Sequence, residues 1–247
     1  HGRNDWSVYA DFPTWPTLTT PGNSRPVTRC AAYTSPTWFD LHPDTNGHNA
    51  MNILVTGGAG YVGSHTAKHL LESGHEVWVY DNLSTGHAAA APRKRLIVGD
   101  LHDGQRLRNL LRDRKIDAVM HFAASALVGE SVADPAKYYR NNLVATLSLM
   151  EAMRECGVGR IVFSSTAATY GEPEEMPIRE TFPQQPCNPY GFTKLALEKA
   201  LTDYAAAYGW GVAALRYFNA AGAASDGTLG EDHTPESHLI PIVLQVA

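Results

Sequence analysis

The chain is poor in cysteine and has no pair of cysteines at a metal-binding or redox spacing. Its three cysteines, Cys30, Cys156 and Cys187, lie far apart and are odd in number. That excludes a disulfide framework and a CxxC zinc or thiol–disulfide site, and it fits a reducing compartment such as the cytosol. The eleven histidines are scattered, with no HExxH or comparable metal spacing, so no metal site is expected. No uninterrupted apolar run approaches the roughly 20 residues needed to span a bilayer. Nor is there an excess of positive charge. A formal net charge of -5 argues against nucleic acid or an anionic membrane surface as the main partner. The one basic run, "RLRNLLRDRK" (Arg106–Lys115), carries leucines at 107, 110 and 111, which makes it an amphipathic helix with a solvated outer face.

What is present is a chain of 247 residues, 44% hydrophobic, long enough to bury a sizeable core. Residues 1–50 differ from the rest. They are rich in Pro, Thr, Asn and Asp, lack a helical or strand period, and have neither the apolar core of a signal peptide nor the acid-poor composition of a transit peptide. They read as an N-terminal extension, disordered or non-native, ahead of a natural start at Met51. A docking arm using Trp6, Trp15, Trp38 and Phe39 is the competing reading. At the other end "HLIPIVLQVA" stops inside a helical pattern on apolar residues, as a fragment would.

From Met51 onward strands and helices alternate. Short apolar runs at Ile53–Thr56, Val77–Tyr80, Leu96–Val98, Ala118–Phe122, Ile161–Ser164 and Val212–Tyr217 lack polar alternation, which predicts strands buried on both faces of a parallel sheet. Helical patterns lie between them, one closing at Gly74, one over about Pro135–Cys156 closing at Gly157, and one over about Pro189–Tyr208 closing at Gly209. The expected fold class is α/β: a doubly wound parallel Rossmann-like sheet with helices on both faces.

The turn after the first strand, "TGGAGYVG", places Gly57, Gly60 and Gly63 at GxxGxxG spacing. The first permits a tight turn, the second lets the backbone approach a pyrophosphate, and the third lets helix and strand pack closely. Phosphates would then sit at the helix N-terminus, where N–H groups and the dipole favour negative charge. Asp81 ends the second strand, where its carboxylate can accept hydrogen bonds from ribose hydroxyls and would repel a 2′-phosphate, which predicts NAD over NADP.

"NPYGFTK" sets Tyr190 and Lys194 four residues apart on one helical face, with Asn188 as N-cap and Pro189 at the first helical position. A phenol ionises near 10, and bringing it ~3 units down takes about 4 kcal/mol. Lys194, a positive nicotinamide ring and the helix N-terminus could supply that together. The phenolate could then take a proton from a sugar hydroxyl while the adjacent hydrogen leaves as hydride. "IVFSSTAATYG" brings Ser164, Ser165 and Thr166 to a strand end. There a Thr166 hydroxyl can bond the reacting oxygen and relay its proton to Tyr190, or merely cap the strand.

In order, TGGAGYVG, DN, GDL, HFAA, SSTAATYG, YGFTK and RYFNAAGA resemble the extended short-chain dehydrogenase/reductase family over roughly Met51–Ala247. "HFAASALVGESV", "YDNLSTGH" and "EDHTPESHLIP" are similar to its UDP-hexose 4-epimerase branch. The resemblance implies an NAD-dependent isomerase that inverts C4 of UDP-glucose or UDP-galactose through a transient 4-keto sugar, with Tyr190 as base and Lys194 and Thr166 beside it. It implies cofactor contacts from Gly57, Gly60, Tyr61, Val62 and Gly63, from Asp81 and Asn82 on the adenosine ribose, and from Asp100 and Leu101 flanking adenine. Phe122, Ala123 and Ala124 would lie along the cofactor, and Asn141, Ser164, Tyr190, Lys194 and Tyr217 would also bind it. On the substrate side it implies Thr166, Tyr190, Asn219 at the diphosphate, His238 near the nucleotide and Leu239 toward uracil. It further implies a homodimer through the helices over 135–156 and 189–208, where Leu143, Leu147 and Leu149 serve either core or interface.

Three positions depart from the family: Ala126 where some members have a lysine near the pyrophosphate, Thr166 for a serine, and His238 for an asparagine. The expected division is an extension at 1–50, an NAD-binding domain at 51–235 and the start of an incomplete UDP-sugar subdomain at 236–247. A 4,6-dehydratase or UDP-glucuronate decarboxylase is the nearest rival, although dehydration needs a further acid/base group and Ala167 and Ala168 carry none. An epimerase for an N-acetylhexosamine or pentose nucleotide, or an NAD-binding module without turnover, also stays open.

Overall fold

The computed structural model describes residues 50–233, 236 and 239–246. The extension read into residues 1–50 therefore lies outside the described residues, apart from Ala50. Six strands form one parallel sheet: β1 (Asn52–Thr56), β2 (Glu76–Asp81), β3 (Leu96–Val98), β4 (Ala118–His121), β5 (Arg160–Ser164) and β6 (Gly211–Leu215), in the spatial order β3-β2-β1-β4-β5-β6. The order reverses between β1 and β4, whose pairing runs from Ile53 beside Ala118 to Thr56 beside His121. A crevice outside the strand carboxyl ends opens at such a reversal.

Alternate residues of a strand face opposite sides, and here both sides are covered. In β1, Leu54 enters one core with Leu149, Met153 and Phe163, whereas Ile53 and Val55 enter a second with Ala67, Val77 and Val79. Both-sided burial is why these strands read as continuous apolar runs. The second core belongs to α1 (Tyr61–Glu72), and the first to α2 (Gly104–Asp113), α5 (Ala145–Cys156) and α6 (Pro189–Tyr208).

Helix ends follow their local chemistry. After α1, Gly74 N–H donates to Leu71 and His75 N–H to Leu70, both at 3.0 Å, with Gly74 at φ +86. This paired closure needs a left-handed residue that glycine supplies without strain. In α6 the Asn188 side chain accepts from Gly191 N–H at 2.8 Å, Pro189 opens the first turn and Gly209 ends the helix at φ +70. In α2, Leu107, Leu110 and Leu111 are buried, which is the amphipathic reading of the basic run.

The region read as one helix over 135–156 is composite. A short α3 (Val128–Ala133) precedes it, then α4 (Pro135–Tyr138), a π-helical turn at Tyr139–Val144, and α5. The pattern of apolar spacings hides an extra residue in one turn. Widened turns of this kind sit at functional positions in many folds, and this one carries Asn141 and Asn142. α7 (Leu239–Val246) is largely exposed.

Leu149 is fully buried at the meeting of α5 with the sheet. Leu149→Ala should lower the unfolding free energy by about 2–5 kcal/mol in urea denaturation followed by far-UV circular dichroism.

Candidate active site

The glycine turn is built against β4. Gly57 lies at φ +72, and a Cβ there would fall 2.5 Å from the Ala123 backbone nitrogen. A Cβ on Gly63 would fall 2.2 Å from the Gly57 carbonyl oxygen, so α1 can approach the turn only without a side chain. Gly60 is different, because a Cβ there would meet only the Gly57 oxygen at 3.4 Å. The protein's own packing does not demand glycine at 60. Gly60 is also the N-cap of α1 and gives no side-chain cap hydrogen bond, which leaves that end of the helix open to an anion. Val62 is half-buried in the same first turn, and Tyr61, also half-buried, spends its hydroxyl on the Gly222 carbonyl at 2.6 Å.

Asp81 is buried at the end of β2. Its Oδ2 accepts from Ala59 N–H at 3.0 Å and its Oδ1 from Leu83 N–H at 2.8 Å. It thus ties the glycine turn to the loop after β2, and each oxygen keeps acceptor capacity for a ribose hydroxyl. Asn82 donates to Asp100 Oδ2 at 3.0 Å, and Asp100 Oδ1 accepts from His102 N–H at 2.9 Å. Burial pushes the Asp100 carboxyl up, but the bonds from Asn82 and His102 outweigh it and hold the group below the usual range. Leu101 is buried beside them.

Past β4, Phe122, Ala123 and Ala124 run half-buried under the glycine turn toward Ser125. The π-helical turn holds this segment: Ser125 N–H donates to Asn142 Oδ1 at 2.8 Å, Asn142 returns a bond to the Ser125 carbonyl at 3.0 Å, and Asn141 donates to Ser125 Oγ at 3.0 Å. His121 ends β4 as a buried imidazole between Thr56 and Thr146, at 2.6 and 2.8 Å, and burial with the nearby Lys194 charge pushes it down to about 3. It is a neutral, fully engaged core residue.

Tyr190, Lys194 and Thr166 come together at the carboxyl end of β5. The Thr166 hydroxyl accepts from Ala168 N–H at 3.1 Å and stands close enough to the Tyr190 phenol to act on its ionisation, so capping and proximity to the tyrosine coexist. Lys194 Nζ donates to the Ser164 carbonyl at 2.8 Å and lies 5.9 Å from the centre of the Tyr190 ring. Tyr138, buried, sets its ring edge against Tyr190 at 6.3 Å and gives its hydroxyl to the Leu127 carbonyl. The expected acidification of the phenol does not hold for the chain by itself. Burial pushes Tyr190 up and only the Thr166 hydroxyl pulls it down. Lys194 is itself lowered to about 7 by burial, with Glu198 opposing.

The remaining expected residues are dispersed. Tyr217 sits with its hydroxyl on Ser164 Oγ. Asn219 is exposed beyond β6, and Leu239 is 76% exposed at the start of α7. Among the described residues, neither is hydrogen-bonded to Thr166, Tyr190 or Lys194. His238 lies outside the described residues. Four polar residues close to the site escaped the sequence reading: Tyr138, Asn142, Glu198 and Arg216. Glu198 was detectable, since it falls four residues after Lys194 on the buried face of α6, whereas Arg216 and Asn142 owe their places to tertiary contacts.

A lysine at about 7 in the native state and near 10.5 when unfolded costs the fold its protonation. Between those values the unfolded chain binds a proton that the native state does not, so stability rises with pH through that window and is flat below it. The rise is at most about 1.4 kcal/mol per unit. Urea denaturation at pH 7.5 and 9.5 should show this gain in the parent and its loss in Lys194→Met.

The family profile described as NAD dependent epimerase/dehydratase matches residues 53–247. Among curated relatives, the chain is 55% identical over 198 residues to the UDP-glucose 4-epimerase of Lacticaseibacillus casei, covering 80% of this chain and 60% of that protein. Among solved structures, it is similar to UDP-glucose 4-epimerase from Brucella ovis in complex with NAD, with a TM-score of 0.76 and 55% identity over 78% of this chain and 59% of that one. It is also similar to UDP-glucose 4-epimerase from Bifidobacterium longum in complex with NAD+ and UDP, with a TM-score of 0.70 and 40% identity over 74% and 57%. The chain spans about 60% of the length of the curated relatives it matches. With the profile running through nearly all of the sheet, the glycine turn and the Tyr190 helix, the chain belongs to the NAD dependent epimerase/dehydratase family.

Proposed function

We propose that this chain carries the dinucleotide site and the proton-transfer residues of an enzyme that inverts C4 of a UDP-hexose, interconverting UDP-glucose and UDP-galactose through a 4-keto sugar. The observation that carries the reading is the convergence of Tyr190 and Lys194, whose Nζ lies 5.9 Å from the tyrosine ring and donates to the Ser164 carbonyl at 2.8 Å, with Thr166 at the end of β5, on the strand edge that also holds the glycine turn.

The residues present suit NAD. The free side of Gly60 and the open start of α1 would take the pyrophosphate, and Asp81 and Asn82 the adenosine ribose. The buried Asp81 carboxylate disfavours a 2′-phosphate. Asp100 and Leu101 would flank adenine, and Phe122–Ala124, Asn141, Ser164, Lys194 and Tyr217 the other half. When bound, oxidised nicotinamide supplies the acceptor for the C4 hydrogen and a positive charge. The chain's own residues then move the proton. Burial keeps the Tyr190 phenol protonated until positive charge stands near it, and Thr166 donates to the phenol oxygen so that the phenolate form gains a bond. The phenolate takes the 4-hydroxyl proton and returns it once the sugar has presented its other face. Dehydration would need an acid/base group at 167 or 168, and both are alanine. Asn219, His238 and Leu239 are assigned to the UDP side. We further propose a homodimer through the face where Tyr139, Val144, Leu147 and Phe192 are exposed and the Tyr139 and Phe192 rings meet at 6.2 Å.

Gly60→Val should weaken NAD binding by at least tenfold in isothermal titration while leaving the melting temperature within a few degrees. In a chain extended to the relatives' length, Tyr190→Phe should retain NAD and lower UDP-galactose conversion roughly 10²- to 10⁴-fold. Sedimentation should give a dimer that Leu147→Glu dissociates.

A further inference from the structure

Glu198 is buried on α6, eight residues after Tyr190 and four after Lys194, and no proton transfer in the proposed chemistry uses it. Its carboxylate is fully engaged. Oε1 accepts from Ser165 Oγ and from Arg216 Nε at 3.0 Å; Oε2 accepts from Arg216 Nη2 at 2.6 Å and from Gln184 Nε2 at 3.1 Å. Arg216 continues outward through Nη1, which donates to the Tyr170 hydroxyl at 2.6 Å, and its guanidinium lies 5.2 Å from the centre of the Tyr170 ring. The chain around Arg216 is also tied to the tail of β5, since Ser165 N–H donates to Leu215 and Ala167 N–H to Tyr217, at 2.9 and 3.0 Å.

These contacts bracket one residue. Ser165 and Tyr170 stand on either side of Thr166, and the Glu198–Arg216 pair holds both. Meanwhile Glu198 is fixed to the helix that carries Tyr190. A rigid connection therefore runs from the tyrosine's helix, through two charged side chains, to both ends of the segment presenting the threonine hydroxyl. Stability alone is a poor account of such a pair, because apolar residues of the same volume commonly serve a core as well or better. A bidentate carboxylate–guanidinium contact does add what an apolar contact lacks, a fixed orientation.

We propose that Glu198 and Arg216 are positioning residues that hold the Thr166 hydroxyl in register with the Tyr190 phenol. The proposal rests on the reading of Tyr190 as the base. Its measurable content is that loosening the pair changes the phenol, although none of the altered groups touches it.

The test uses the full 247-residue chain labelled with ¹³Cζ-tyrosine, with the Tyr190 signal assigned by its loss in Tyr190→Phe. In Glu198→Gln the amide cannot accept from both sides of the guanidinium. The Tyr190 signal should move, and the phenol's ionisation constant should fall roughly 2- to 12-fold, the share of one hydrogen bond. Tyr170→Phe keeps the ring and removes only the far anchor, and Ser165→Ala removes only the near one. Both should shift the signal in the same direction by less, and they decide the matter should Glu198→Gln not fold. A lowered melting temperature with the Tyr190 signal and titration unchanged in the folded variants would mean a purely structural pair and overturns the proposal. Turnover that survives Tyr190→Phe in the extended chain would instead remove the base reading, an outcome the spectra do not mimic.

Discussion

A parallel sheet covered on both faces can present chemistry only at its ends, and here the end that matters is the carboxyl edge between β1 and β4. Leu54 and Val55 point to opposite cores, so neither sheet face has room for a ligand. The backbone must turn at the edge, and the turn at Gly57 is pressed so closely on Ala123 that the ends of β1 and β4 form a single floor. Asp81 joins the end of β2 to that floor through Ala59. The end of β5 brings Ser164–Thr166 to the same side. The site is therefore a consequence of strand direction and double burial before any one side chain is considered.

Burial also sets the electrostatics. It lowers Lys194 to about 7 and His121 to about 3, and it raises Tyr190. All three shifts favour the neutral form, as desolvation does in a dry region. The polypeptide thus keeps its phenol protonated by default. Within the proposed chemistry this makes proton removal conditional on charge arriving from a bound partner, with the lysine and threonine as local support.

The elements were readable because they rest on local rules. Apolar runs gave six strands within one or two residues at each end, and the start and end of α6 follow from Asn188, Pro189 and Gly209. The π-helical turn was not readable, since an inserted residue leaves the neighbouring apolar spacing intact while turning Asn141 and Asn142 toward Ser125. The grouping of Tyr190 with Lys194 was legible from helical spacing, but the phenol's direction of shift was not, because desolvation depends on the surroundings contributed by Tyr138 and the β5 tail.

By itself the amino-acid order determined the strand–helix alternation, the helix caps, the bare backbone at 57–63 and the shared face of Tyr190, Lys194 and Glu198, all of which depend on neighbours within a few residues. Only the tertiary structure decided that Gly57 is pressed on the Ala123 backbone, that Arg216 meets Glu198, and that Thr166 comes near Tyr190. Those outcomes join segments far enough apart in the chain that their geometry comes from how helices and loops pack on the sheet, which no local spacing encodes.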